Sequence, residues 1–230
     1  MLNVIAFSGK IGSGKSTTCD MVTRLLQERG YTVIRIAYAK PLKDIIAYVT
    51  NDKRDLFYTQ EGKAANSGTV NSVTRRKLLN SVGNAFTDID PTIFCQYSDI
   101  AMKCEAMKCE AKGKKNVIVL IEDLRRFKEL TYIAKNYNYH IVRIPRSFNP
   151  CDDPEIKDSP QECELDYLDT IMLSCTIHRL ELYRTVPNKD LTSETQRWID
   201  EENCIKNREY NIRNINKLLD TITRRFETNK

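Results

Sequence analysis

A short apolar run, Asn3 to Ser8 (NVIAFS), leads straight into a glycine-rich turn, and Met21, Val22, Leu25 and Leu26 then follow at helical spacing with Gly30 as a stop signal. Strand, tight loop and helix in this order constrain the fold more than any other stretch. A strand feeding a crossover helix commits the chain to a parallel sheet. The turn itself is FSGKIGSGKST, Phe7 to Thr17, with Gly9, four intervening residues and then Gly14-Lys15-Ser16.

That skeleton is the phosphate-binding loop pattern. A loop that wraps a polyphosphate turns its backbone N–H groups inward, and Gly9, Gly12 and Gly14, with Ser13 between the last two, supply the necessary freedom. The loop then enters a helix N-terminus, where unpaired N–H groups and the helix dipole favour an anion. Lys15 adds a positive charge for the β- and γ-phosphates, the Ser16 hydroxyl can ligate Mg²⁺, and Thr17 completes the set. ATP and Mg²⁺ are therefore the expected cofactors.

Further strand-like runs recur at residues 32–37, 117–121, 140–144 and 170–174, with helical patterns between them. This alternation predicts an α/β chain with a parallel sheet of about five strands covered by helices. "VIVLI", residues 117–121, is apolar throughout, as a central strand buried on both faces requires. Residues 38–115, spanning the gap between the second and third runs, are too many for a loop and carry helical patterns around 41–50 and 73–86. They read as a helical acceptor-binding insertion in a single domain over residues 1–230. The pentapeptide AMKCE occurs there twice in succession, from Ala101 and from Ala106, and reads as a local duplication lengthening an exposed helix. A C-terminal helical segment is expected over about 190–228, with Ile212, Ile215, Leu218, Leu219, Ile222 and Phe226 on one face and Trp198 as filler.

The net charge is +5, and the 36 Lys and Arg residues are scattered among 31 acidic ones, which reads as a solvated surface and not as a nucleic-acid footprint. No apolar run approaches membrane-spanning length and no secretion signal is present, so a cytoplasmic protein is expected, in the host cytoplasm if the source is viral. The eight cysteines contain no C-x-x-C pair and only His140 and His178 could assist, which argues against zinc and for reduced thiols. The sequence leaves a homodimer open.

A second group of charged residues bears on the reaction. Glu122 and Asp123 end the "VIVLI" strand, where open α/β sheets place their ligands, so Asp123 can position Mg²⁺ or hold a substrate group. Its alternative role is to cap a helix. Arg75, Arg76, Arg125, Arg126, Arg143 and Arg146, with Lys43 in "YAKPLKDI", are the cations available to gather a donor and an acceptor phosphate. Tyr38, Tyr48, Phe57 and Tyr58 are candidates for a nucleobase pocket.

"FSGKIGSGKST", "YAKPLKDI", "RRKLLNSVGNAF", "IEDLRRFKEL" and "VRIPR" resemble the successive motifs of the deoxynucleoside monophosphate kinases of bacteriophages and large DNA viruses. They are also similar to the animal-type phosphomevalonate kinases, as are "DPTIFC" and "DSPQECELD". The resemblance covers about residues 3–175 and implies a P-loop NTPase three-layer α/β/α fold. It also implies that Gly12, Gly14, Lys15, Ser16 and Thr17 bind ATP phosphates and Mg²⁺, and that Lys43, Arg75 or Arg76, Asp123, Arg125 and Arg126 face the acceptor. Arg146 would begin a lid over about 146–166, ending near Glu164 and Asp166. Both families carry an arginine after the "LLNSVG" helix where this chain has Thr87 or its neighbours, a gap that Lys77 or another arginine could fill.

The expectation is an ATP- and Mg²⁺-dependent kinase acting on a deoxynucleoside monophosphate, with Lys15, Asp123, Arg125 and Arg146 as its catalytic residues. The alternatives are a phosphomevalonate kinase and a non-catalytic nucleotide-binding regulator. The second of these lacks an N-K-x-D stretch in a suitable context.

Overall fold

The computed structural model describes residues 1–70, 72–145, 163–169, 176–180 and 194–228, of which 169 and 194–206 by their backbone alone. Five strands, β1 (Asn3–Ser8), β2 (Thr32–Ile36), β3 (Val117–Leu124), β4 (Asn138–Arg143) and β5 (Ile177–Arg179), form one sheet in the order β2-β3-β1-β4-β5. Every pairing is parallel. Among the described residues seven α-helices accompany it: α1 (Lys15–Glu28), α2 (Lys40–Thr50), α3 (Gln60–Ala64), α4 (Arg75–Ile89), α5 (Ile93–Ala111), α6 (Phe127–Asn136) and α7 (Glu194–Thr228). The fifth strand lies later than the expected run at 170–174, and residues 170–175 are outside those described.

Alternation within the strands builds two cores. Ile5, Phe7, Ile118 and Leu120 point to one face and pack against Cys19, Val22 and Leu26 of α1 and Ile215, Leu219, Ile222 and Phe226 of α7. Val4, Ala6, Val119 and Ile121 point to the other, against Cys95 and Met102 of α5 and Leu130 and Ile133 of α6. Helices thus cover both faces, compatible with a three-layer α/β/α arrangement. Leu42, Ile46, Ala47 and Phe57 form a third, smaller core beside Leu78, Val82 and Phe86, which joins α2 to α4. Among the described residues no helix is long and apolar enough to cross a membrane.

The duplicated pentapeptide lies wholly within α5, and its two copies face different ways. Met102 of the first copy is fully buried, whereas Met107 of the second is 67% exposed. In the second copy Ala106 and Cys109 pack on the core instead.

The topology fixes where a ligand can bind. β1 leads into α1 on one face and β3 into α6 on the other, so a crevice opens between their carboxyl ends. There the ladder shifts: Ala6 pairs with Ile121 but Ser8 with Leu124, leaving one extra residue in β3. A bulge of this kind re-aims side chains beside a site, and it sits at Glu122 and Asp123.

Candidate functional site

The crevice is a cavity of about 720 Å³. One wall is the glycine loop. Gly12 and Gly14 hold φ of 66° and 91°, and a Cβ on Gly9 would lie 2.5 Å from the Ile144 carbonyl oxygen. Sterics therefore exclude a side chain at Gly9, and the positive φ values favour glycine at Gly12 and Gly14. Gly14 is the N-cap of α1, with no side-chain cap and no acidic residue in the first turn, so the positive end of that helix is not neutralised locally. The Ser13 hydroxyl is buried without a hydrogen-bond partner. Lys15 folds back over the loop, its Nζ donating to the Gly9 carbonyl and, at 2.8 Å, to that of Lys10. Ser16 and Thr17 are exposed on the cavity side.

Asp123 lines the cavity and also ties two elements together. Its Oδ1 accepts from the Tyr38 amide at 2.7 Å and its Oδ2 from the Ala39 amide at 2.9 Å. It thereby holds the segment between the neighbouring strand β2 and α2, and not the start of the next helix along the chain. Each oxygen keeps lone-pair capacity for a cation or water. Glu122 accepts from Arg35 Nε at 2.6 Å, and Arg35 also reaches Asp20 of α1.

The opposite wall is cationic and comes from several elements. Lys43 of α2, Lys63 of α3, Arg76 of α4 and Arg125 and Arg126 after β3 all line the cavity. Lys43 sits 4.0 Å from the Tyr58 ring centroid, a cation–π contact. Burial pushes its ammonium pKa down, with Asp123 opposing and Arg125 adding to the shift. Arg76 Nη2 donates to Gln60 Oε1 at 2.8 Å, and Arg126 Nη2 to Asn84 Oδ1 at 2.9 Å. Arg126 therefore reaches the turn of α4 that carries Thr87. The Thr87 hydroxyl spends itself on the Gly83 and Asn84 carbonyls. Glu129 holds the amides of Arg125 and Arg126 at 2.8 and 3.0 Å. Burial raises its carboxyl pKa to about 7, against those two backbone hydrogen bonds.

Not every expected residue reaches the cavity. Arg75 is 6% exposed and turned away from it, its Nη2 on Asp52 Oδ1 at 2.7 Å and its Nη1 on the Gly62 carbonyl at 3.1 Å. Burial works against the Asp52 carboxylate, but hydrogen bonds from Arg75, the Gly68 amide and the Thr50 hydroxyl hold its pKa below the ordinary range. Arg143 is likewise buried, donating to Ser8 Oγ and Asp166. Asp166 also pairs with Lys10 at 2.8 Å, and Glu164 accepts from the Phe127 amide at 2.7 Å, so the final residues of the expected lid are anchored at the loop and at α6. Arg146 and most of that lid lie outside the described residues. Of the four aromatics, Tyr38 and Tyr58 line the cavity, Phe57 is core and Tyr48 is 88% exposed.

Sequence reasoning missed Gln60, Lys63, Asn80, Phe94, Glu129 and Asn211, all of which line the cavity. Only Glu129 carried a local signal, as a glutamate three residues into a helix start. No family model matches this chain, and no curated protein matches it.

Proposed function

We propose that the protein is a P-loop phosphotransferase that moves the γ-phosphoryl group of ATP onto the phosphate of a nucleoside monophosphate, a deoxynucleoside monophosphate first among them. One observation carries this reading: a single cavity joins an uncapped helix N-terminus under a glycine loop to five cations from four other segments of the chain. A bare nucleotide switch has no second anion to hold and no use for that wall. The orphaned Ser13 hydroxyl and the left-handed glycines on either side of it suit phosphate oxygens. Tyr58 and Phe94 with the amides of Gln60 and Asn80 offer a flat apolar surface and hydrogen-bonding groups, which suits a nucleobase better than a small isoprenoid phosphate.

In this mechanism an acceptor phosphate oxygen attacks the γ-phosphorus. The bond from that phosphorus to the β–γ bridging oxygen breaks, and two diphosphates result. The nucleophile is already anionic, so the protein needs no strong general base; its work is positioning and charge neutralisation. Lys15 leaves the Gly9 and Lys10 carbonyls for the β- and γ-phosphates, while the loop amides hold the donor. Arg76, Arg125, Arg126 and Lys43 bring the acceptor in against electrostatic repulsion. Among the described residues no cluster of three or more His, Cys, Asp or Glu side chains could hold a metal by itself. Mg²⁺ would rest on Ser16, on phosphate oxygens and, through water, on Asp123, and would supply Lewis-acid neutralisation of the transferring group.

The test is coupled ADP release with ATP, Mg²⁺ and a panel of dAMP, dGMP, dCMP, dTMP and phosphomevalonate, beside a Lys15→Ala control. Turnover of a nucleotide that vanishes in the control is the expected result. Turnover with phosphomevalonate alone reassigns the acceptor, and ATP binding without transfer overturns the kinase in favour of a regulatory protein.

A further inference from the structure

The inward stripe of α7 changes character where it meets the cavity. Phe226, Ile222, Leu219 and Ile215 are 2%, 0%, 1% and 0% exposed and pack with α1. One turn further along the same face stands Asn211, half-buried, and it lines the cavity together with Gly12, Thr17 and Met21. The stripe is otherwise apolar, and asparagine is a poor interior helix former.

Contacts further along α7 fix the register in which Asn211 meets the cavity. Arg29, the C-cap of α1, donates to Asn216 Oδ1 at 2.8 Å and pairs with Asp220 at 2.9 Å, while the Tyr31 hydroxyl donates to Glu227 at 3.2 Å. These contacts pin the register of α7 on α1. Asn211 then lies five residues before Asn216, about 7.5 Å along the helix axis. It belongs to the α1 side of the sheet, the side that carries the phosphate loop, whereas the cationic wall comes from α2, α3, α4 and the segment after β3.

We infer that Asn211 is a specificity-determining residue that contacts the base of the phosphoryl donor. The inference rests on the reading that the loop holds ATP phosphates. A primary amide presents one acceptor and two donors in a plane, and it pairs in a bidentate manner with the N6 and N7 edge of adenine. The C-terminal helix thereby supplies the donor-side recognition that a phosphate loop, which grips only the polyphosphate, cannot.

Equilibrium binding of ATP, GTP and inorganic tripolyphosphate to the wild-type protein and to Asn211→Ala tests this. ATP binding weakens about three- to ten-fold in the variant, the range for losing a neutral hydrogen bond. The preference for ATP over GTP narrows, and tripolyphosphate binding stays within about two-fold, which also reports that the variant is folded. Equal losses for ATP and tripolyphosphate overturn the inference, because Asn211 then supports the loop and not the base. Unchanged ATP affinity or unchanged preference overturns it as well. A wild-type protein that binds neither ATP nor tripolyphosphate removes the phosphate-loop reading itself, and this inference with it.

Discussion

The two walls of the cavity are made differently. The loop wall is one continuous stretch, Gly9 to Thr17, shaped by its own glycines, with Lys15 folded over it and Lys10 paired with Asp166. The opposite wall borrows its cations from several segments, and partners elsewhere in the fold aim them: Tyr58 for Lys43, Gln60 for Arg76 and Asn84 for Arg126. A wall of the first kind depends on single residues. A wall of the second kind depends on how helices sit against one another, so losses there are graded and can be caused at a distance.

The sharpest break in this comparison is Lys15→Ala, for which we expect kcat/KM to fall by about 10³-fold or more, on the order of 4 kcal/mol of transition-state stabilisation. A variant that retains a tenth of the activity in the ADP-release assay would mean that the loop wall is as redundant as the other.

Next in size is Asp52→Ala, which leaves Arg75 buried without its ion-pair partner; the two side chains are 4% and 7% exposed. Breaking such a pair costs about 3–5 kcal/mol. Urea unfolding should show that loss, and acceptor affinity should drop while ATP affinity persists in the folded fraction. An unshifted midpoint would show that the helical wall stands without this pair.

Arg76→Ala and Arg126→Ala should each raise the acceptor KM about ten-fold, near 1.4 kcal/mol, with the ATP KM changed less than two-fold. Equal effects on both substrates would erase the division into two walls. A double-mutant cycle between Arg126 and Asn84 should give a coupling of about 0.5–1.5 kcal/mol, and additivity would mean that Asn84 does not aim the arginine.

The remaining effect concerns pH. The Glu129 carboxyl is raised from 4.5 to about 7 in the folded chain. Its protonated form is therefore favoured by folding, so its stabilising contribution is full below pH 4.5 and is lost as pH rises through about 7. Glu129→Gln should flatten this part of the curve of unfolding midpoint against pH, and a curve identical to wild type would place the titration elsewhere.

The same contrast explains what could be read in the sequence. β1, the loop and α1 are legible because strand apolarity, glycine spacing and helical periodicity are local properties, and β1 was bounded at Asn3 and Ser8 as found. The second wall is not local. Arg75 and Arg76 are neighbours in the chain, yet one turns to Asp52 and the other to Gln60, and only the packing of α3 on α4 decides which. Asp123 was placed correctly at a strand end, but its partners belong to the start of α2, 84 and 85 residues away. Asn211 continues the spacing of an apolar stripe, and nothing in that spacing says that a cavity begins there. β5 has three residues, too few to show an alternation.

The twin pentapeptides of α5 bear on how this chain can lengthen. Inserting five residues into an α-helix turns everything after them by about 500°, or about 140° beyond a full revolution, so an identical copy must present a different face. That is why Met102 is sealed in the core while Met107 stands in solvent. Such an insertion is survivable only where little remains downstream to be misdirected, and α5 ends at Ala111, immediately after the second copy. The end of this helix lies 17 residues, about 25 Å along the axis, from Phe94, the α5 residue that lines the cavity, so added length there stays clear of the site.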